Sequence, residues 1–135
     1  MSGKQQRVGM LVVLAMALAS CGTTPSPSPS AVRPSSPAVI AIVEPAAGQT
    51  VSGTVHVVLS LTGAKIVSQT STSIRPDEGH VHLFVDNVLK SMNYGLEQDL
   101  ELPPGTYVLS AEFVAADHAP FNPRVVSAQT IFSVQ

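Results

Sequence analysis

Residues 79–86 alternate between two faces, one aliphatic and the other carrying two histidines and Phe84, and this alternation restricts the fold more than any other feature of the sequence. Val81, Leu83 and Val85 fall on one face of the predicted strand, which predicts that this face is buried in a core. The opposite face carries His80 and His82 at positions i and i+2, so their imidazoles point the same way.

The chain after residue 38 lacks a helical period and consists of short apolar or alternating segments with turn signals between them. These segments predict seven strands, at 39–44, 54–61, 80–85, 88–94, 96–102, 106–115 and 125–134. A short extra strand near 65–68 also fits the pattern, and 116–123 reads as a loop. We therefore expect one all-β domain, a Greek-key sandwich of the immunoglobulin or fibronectin III type, with a cupredoxin-like barrel as the alternative.

Two turns refine this prediction. In the run Leu-Pro-Pro-Gly-Thr-Tyr at 102–107, Gly105 precedes Tyr107 just inside a strand, which is typical of a tyrosine corner. A two-residue turn at 86–87 would pair Val81 with Met92, and this register predicts that Met92 faces the core.

The first 20 residues predict a signal peptide, with a short basic region followed by an apolar run that is too short to span a bilayer. The sequence Leu-Ala-Ser-Cys-Gly at 18–22 resembles a bacterial lipobox, which implies cleavage before Cys21 and acylation of that residue, palmitate included. The chain has no second cysteine, so we expect no disulfide and no thiolate ligand. The predicted location is the extracytoplasmic side of a bacterial membrane.

Residues 21–38 predict a Pro/Ser-rich linker between the lipidated cysteine and a domain at 39–135. Loss of Lys4 and Arg7 with the signal peptide leaves five basic and nine acidic residues, a net charge near −4. This balance, with no basic run, argues against nucleic-acid binding. The sequence has no nucleophile elbow and no Gly-rich phosphate loop, so we do not expect an enzyme.

The predicted topology brings distant histidines together. In an immunoglobulin-type sandwich the strand with His80 and His82 is the antiparallel neighbour of strand 106–115. The start of the first strand therefore lies beside the end of the second, next to Asp117 and His118.

Imidazoles without a thiolate suit Zn²⁺ or Cu²⁺, so His80, His82 and His118 are the candidate metal ligands. The alternative is that they are strand and loop histidines that form local hydrogen bonds, with Asp117 capping its loop. His56 lies on the outer face of another strand and is not expected to take part.

Three motifs together resemble one family of small bacterial envelope domains of unknown function, often lipoproteins with an immunoglobulin-like fold. The motifs are Gly79-His80-x-His82-x-x-x-Asp86, the Leu-Pro-Pro-Gly run at 102–105, and Asp-His-x-Pro-x-x-Pro at 117–123. The resemblance covers about residues 44–134. In that family further histidines often stand at the positions of Val81 and Tyr107, and this chain lacks both. The resemblance implies a fold and leaves the function open.

These observations predict a lipid-anchored extracytoplasmic binding domain, with copper or zinc as the candidate ligand of its histidines. The alternative is a structural or adhesive module without metal that contacts another envelope protein or a glycan. The two hypotheses differ in whether a change at His82 abolishes metal binding.

Overall fold

The computed structural model describes residues 32–135, and the predicted signal peptide, Cys21 and most of the linker lie outside them. This part of the chain contains ten strands: β1 (Val39–Glu44), β2 (Thr50–Val51), β3 (Val55–Thr62), β4 (Lys65–Ile66), β5 (Glu78–Val85), β6 (Val88–Ser91), β7 (Glu97–Leu100), β8 (Gly105–Ala115), β9 (Pro120–Val126) and β10 (Thr130–Val134). None of the described residues forms a helix long and apolar enough to cross a membrane.

The strands form two sheets. The smaller has the order β1-β3-β7, and the larger has the order β2-β10-β8-β5-β4, with β6 beside β5 and β9 beside β8. The chain passes repeatedly from one sheet to the other, and the β5–β8 pair at the centre of the larger sheet is antiparallel. The prediction of an all-β sandwich is confirmed.

The core lies between the sheets and follows the alternation of the strands. From the smaller sheet, Val55 and Val57 are fully buried, and from the larger sheet, Val81, Leu83 and Phe113 are fully buried. Each of these side chains points away from its strand neighbours toward the opposite sheet. Since the pattern has period two, one face of β5 packs in the core and the other faces away from it, where His80 and His82 are nevertheless buried.

The turns hold the ends of the larger sheet. The Tyr107 hydroxyl donates to the carbonyl of Pro103 at 2.8 Å, which is the bond that defines a tyrosine corner. Asp86 and Asn87 have φ values of 50° and 63°, as a two-residue hairpin turn between β5 and β6 requires.

Two details of the predicted strands are wrong. The final strand is divided and begins earlier than predicted, at Pro120 inside the segment predicted as a loop, because β9 pairs with the far half of β8 and β10 with its near half. Between them the Ser127 hydroxyl accepts from the Ala111 amide at 2.9 Å and takes the place of a ladder bond. Met92 is 53% exposed, because a bulge pairs Leu83 with Ser91 and ends β6 before the predicted partner of Val81.

Candidate functional site

His80, His82 and His118 lie together at one end of the larger sheet, and we call them the histidine cluster. The Nε2 atom of His82 is 3.2 Å from Nδ1 of His118. The rings of these two residues are stacked, with an interplanar angle of 18°. The ring centroid of His80 is 4.2 Å from that of His118.

The sequence around β5 and β8 explains why the cluster forms. His80 pairs with Val114 and His82 with Glu112, so both imidazoles project from the face of the sheet opposite the core. Gly79 precedes them, and a Cβ atom at this position would overlap the carbonyl oxygen of Val114. Glycine is therefore what allows β5 to approach the end of β8 so closely.

His118 reaches the cluster through a tight turn after β8. Its backbone has a φ of 62°, in the left-handed region, and its amide donates to the carbonyl of Ala115 at 2.9 Å. The Ala115 amide in turn donates to the carbonyl of Ala119 at 3.0 Å. This turn folds the loop back over β5, so that a residue 36 positions away from His82 meets its ring.

Arg33 fixes the same loop from outside the strands. Its guanidinium donates to both carboxylate oxygens of Asp117, at 2.6 and 2.9 Å, and to the carbonyls of Ala119 and Pro120, both at 2.9 Å. The hydrogen bonds from Arg33 lower the pKa of Asp117. Asp117 therefore lies in the loop that the sequence predicts, but its carboxylate is paired with Arg33 and bonds to no imidazole of the cluster.

Two further residues border the cluster and were not singled out by the sequence analysis. The Tyr94 ring stands edge-on to His80, with 4.9 Å between the ring centroids. The Thr70 hydroxyl lies 3.3 Å from Nε2 of His118. Both come from irregular segments outside the strands, where alternation gives no signal. His56 lies elsewhere, exposed and 2.7 Å from the carboxylate of Asp99.

His80 has an unusual environment for a polar side chain. It is fully buried, and within the described part of the chain neither of its ring nitrogens has a hydrogen-bond partner. Burial lowers the pKa of His80, and His118 lowers it further. Hydrogen bonding with the backbone of Gln69 and Val67 opposes the shift, although neither contact has the geometry of a full hydrogen bond. Burial and then His118 likewise lower the pKa of His82, while Glu112 opposes the shift. Both imidazoles are therefore neutral at neutral pH, the form that can bind a metal ion.

The cluster as it stands is compact without being a completed ligand set. Within residues 32–135, no group of three or more His, Cys, Asp or Glu side chains is placed to hold a metal ion. One nitrogen of His82 and one of His118 face each other, and the ring of His80 lies beside them.

We expect the stability of the protein to fall as the pH drops below the ordinary histidine value of 6.5. The pKa values of His80 and His82 are lowered in the folded state, so the unfolded chain takes up their protons first. The contribution of these two residues to stability is therefore fully present above pH 6.5. Below that pH, the free energy of unfolding falls by up to about 1.4 kcal/mol per pH unit for each histidine. Denaturant unfolding between about pH 8 and about pH 5, followed by circular dichroism, measures this loss.

His56 provides the matched control for this titration. Its hydrogen bond to Asp99 raises its pKa, so its contribution has the opposite sign and is lost as the pH rises. The His82→Gln variant should lose less stability at low pH than the parent. The His56→Gln variant should lose at least as much as the parent. An equal loss in both variants would assign the pH dependence to other groups.

No protein-family model matches the chain, and no curated protein matches it. An endo-beta-1,4-mannanase from Thermotoga petrophila is 15% identical over 73% of this chain and 20% of its own, with a TM-score of 0.47. Fibronectin(III)-like modules of CbhA from Clostridium thermocellum are 12% identical over 76% of this chain and 46% of their own, also with a TM-score of 0.47. The chain thus spans less than half the length of either structure.

Proposed function

We propose that the protein is a lipid-anchored extracytoplasmic binding domain that takes up copper or zinc at the histidine cluster. The observation that carries this proposal is the ring of His80, which is fully buried beside His82 and His118. Within residues 32–135 neither of its nitrogens makes a hydrogen bond of good geometry, and only the backbone of Gln69 and Val67 is close enough to affect its pKa by hydrogen bonding. Buried polar atoms in folded proteins nearly always have a partner, so an atom without one marks a place where a water molecule, an ion or another ligand can bind. Leaving such an atom unpaired costs about 1–3 kcal/mol.

The spacing of the facing pair supports a metal as that ligand. Two nitrogens bound tetrahedrally to Zn²⁺ at its usual bond length lie about 3.3 Å apart. The Nε2 atom of His82 and the Nδ1 atom of His118 are 3.2 Å apart. In the metal-free protein this contact is a hydrogen bond in which one imidazole donates. A metal ion would need both facing nitrogens unprotonated, so each neutral ring would carry its proton on its other nitrogen, which for His118 is the Nε2 atom beside the Thr70 hydroxyl. A nitrogen of His80 would supply the third bond, and its ring would have to turn toward the other two, because the three side chains are not yet placed to hold a metal ion within residues 32–135.

The chemistry of the donors favours copper and zinc over harder ions. The cluster offers neutral imidazoles, and Asp117, the nearest loop carboxylate, is paired with Arg33. Imidazole suits Cu²⁺ and Zn²⁺, whereas Mg²⁺ and Ca²⁺ need oxygen ligands. Copper is expected to bind more tightly, since Cu²⁺ precedes Zn²⁺ in affinity for a given nitrogen site.

The test is calorimetric titration of Cu²⁺ and of Zn²⁺ into the full chain in a non-chelating detergent buffer. We expect one site per chain and at least about a tenfold weaker affinity in His82→Gln and in His118→Asn. Asparagine at 118 keeps a residue that tolerates the left-handed backbone. The control is His56→Gln, which removes an exposed histidine and should leave the affinity unchanged.

Equally weak binding in the parent and in all three variants would overturn the metal proposal. The alternative would then stand: a structural or adhesive module that contacts another envelope protein or a glycan. That function needs no imidazole, so the His82→Gln variant would keep its partner.

The lipid anchor is a separate part of the proposal. It is supported by the lipobox-like sequence that ends at Cys21 and by the linker after it. Incorporation of a labelled fatty acid in cells, compared between the parent and a Cys21→Ser variant, tests it. Equal labelling of the two would contradict acylation at Cys21.

A further inference from the structure

A groove of about 500 Å³ lies on the outer face of the larger sheet, on the face that carries the histidine cluster. None of the residues that line it is a histidine. They come from β5, β8, β9 and the turns beside them: Phe84, Asn87, Ser110, Glu112, Arg124, Val126, Ser127 and Gln129. The volume is in the range of small-molecule sites.

The floor of the groove is an ion pair between a buried carboxylate and an exposed guanidinium. Glu112 is only 2% exposed, and its two carboxylate oxygens accept from Nε of Arg124 at 2.7 Å and from Nη2 at 2.5 Å. This pairing leaves no net charge on the floor. The Arg124 side chain is 61% exposed, and its Nη1 makes no hydrogen bond within residues 32–135, so it can donate to a ligand.

The rim combines free polar groups with an apolar wall. The side chains of Asn87, Ser110 and Gln129 make no hydrogen bond within the described residues, although all three line the groove. Phe84 is half-buried and Val126 is 52% exposed, so one aromatic and one aliphatic surface flank these groups. A ligand would therefore meet hydrogen-bonding groups and apolar surface at once.

We infer that the groove binds a neutral saccharide. A sugar ring presents hydroxyl groups at its edge, which suit amides, a serine hydroxyl and an arginine N–H, and C–H groups on its faces, which suit an aromatic ring. An anion would need an uncompensated cation, but Arg124 is already neutralised by Glu112. A wholly apolar ligand would bury the rim amides without partners.

This saccharide site adjoins the proposed metal site through Glu112, the cross-strand partner of His82, but it uses none of the three histidines. Phe84 follows His82 by two residues on the same face of β5. Along β5, the groove begins at Phe84 and extends in the direction away from His80 and His118. Saccharide binding should therefore persist in the presence of a metal chelator, and its failure would leave the metal proposal untouched.

The experiment is titration of the full chain in detergent, with chelator present, against neutral trisaccharides: cellotriose, mannotriose, galactotriose and N-acetylchitotriose. We expect saturable binding of at least one of them. Gln129→Ala removes one rim amide and should weaken that binding about threefold to tenfold. Phe84→Leu keeps the apolar volume but removes the aromatic face and should weaken it as well.

Gln135→Ala is the matched control, because Gln135 is an exposed glutamine outside the groove. Its affinity should equal that of the parent. Saturable binding of none of the four sugars would overturn the inference. Equal affinities of Gln129→Ala, Phe84→Leu and the parent would overturn it too, because the sugar would then bind elsewhere.

Discussion

Replacing Arg124 by alanine is expected to lower the free energy of unfolding by about 2–4 kcal/mol. The stability is lost because Glu112 is 98% buried. Without Arg124, its carboxylate would stay in the sheet with no guanidinium to bind it. The solvent exposure of Arg124 places the effect below that of a fully buried pair. Denaturant unfolding of the full chain, followed by circular dichroism because the chain has no tryptophan, measures the change.

Arg75 provides a matched control for this prediction. Its side chain is 63% exposed, almost the same as that of Arg124, and it contacts Glu78 at 3.1 Å. The difference is in the carboxylate, since Glu78 retains 22% exposure and keeps Lys65 at 3.0 Å when Arg75 is removed. Arg75→Ala should therefore change stability by no more than about 0.5–1 kcal/mol.

A double variant separates charge from packing. In Glu112→Met with Arg124→Ala the buried carboxylate is gone, so most of the lost stability should return. If the double variant is as unstable as Arg124→Ala, the apolar stem of Arg124 stabilises the sheet and the ion pair does not.

The sequence was most informative where one physical constraint decides the structure. Alternation in β5 assigns Val81 and Leu83 to the core and His82 to the opposite face, because a strand with one buried face has a single acceptable register. The dipeptide at 86–87 gives the hairpin because its side chains tolerate positive φ. The pairing of β5 with β8 then predicts that His118 lies near His82, and the left-handed turn at His118 completes the contact.

The sequence could not reveal features that depend on pairs of residues without a shared pattern. Arg33 is one charged residue in a Pro/Ser-rich segment, and only the folded loop shows that it binds Asp117. Glu112 and Arg124 lie on separate strands, and their pairing depends on where β9 begins. Met92 was misplaced because a bulge changes the register of a strand without changing its composition.

Gly79→Ala is expected to destabilise the protein by about 3 kcal/mol. The new Cβ would overlap the carbonyl of Val114 and crowd the ring of Phe113, which is fully buried. The backbone of Val114 cannot rotate away as a flexible side chain can. The strands β5 and β8 would therefore have to separate next to His80, the first residue of the histidine cluster. Denaturant unfolding measures the loss, and titration with Cu²⁺ should show weaker binding in the same variant if the cluster holds a metal.

Gly95→Ala is the control that separates crowding from the general effect of replacing glycine. Its backbone does not have positive φ, and the nearest atom to an added Cβ is the carbonyl oxygen of Glu97 at 3.4 Å, an ordinary contact. This variant should change stability by no more than about 1 kcal/mol, in either direction. Should Gly79→Ala be tolerated equally well, the close approach of β5 to β8 is not required, and the glycine before His80 would need another explanation. A large loss confined to Gly79→Ala would instead tie that glycine to the strand pairing on which the histidine cluster is built.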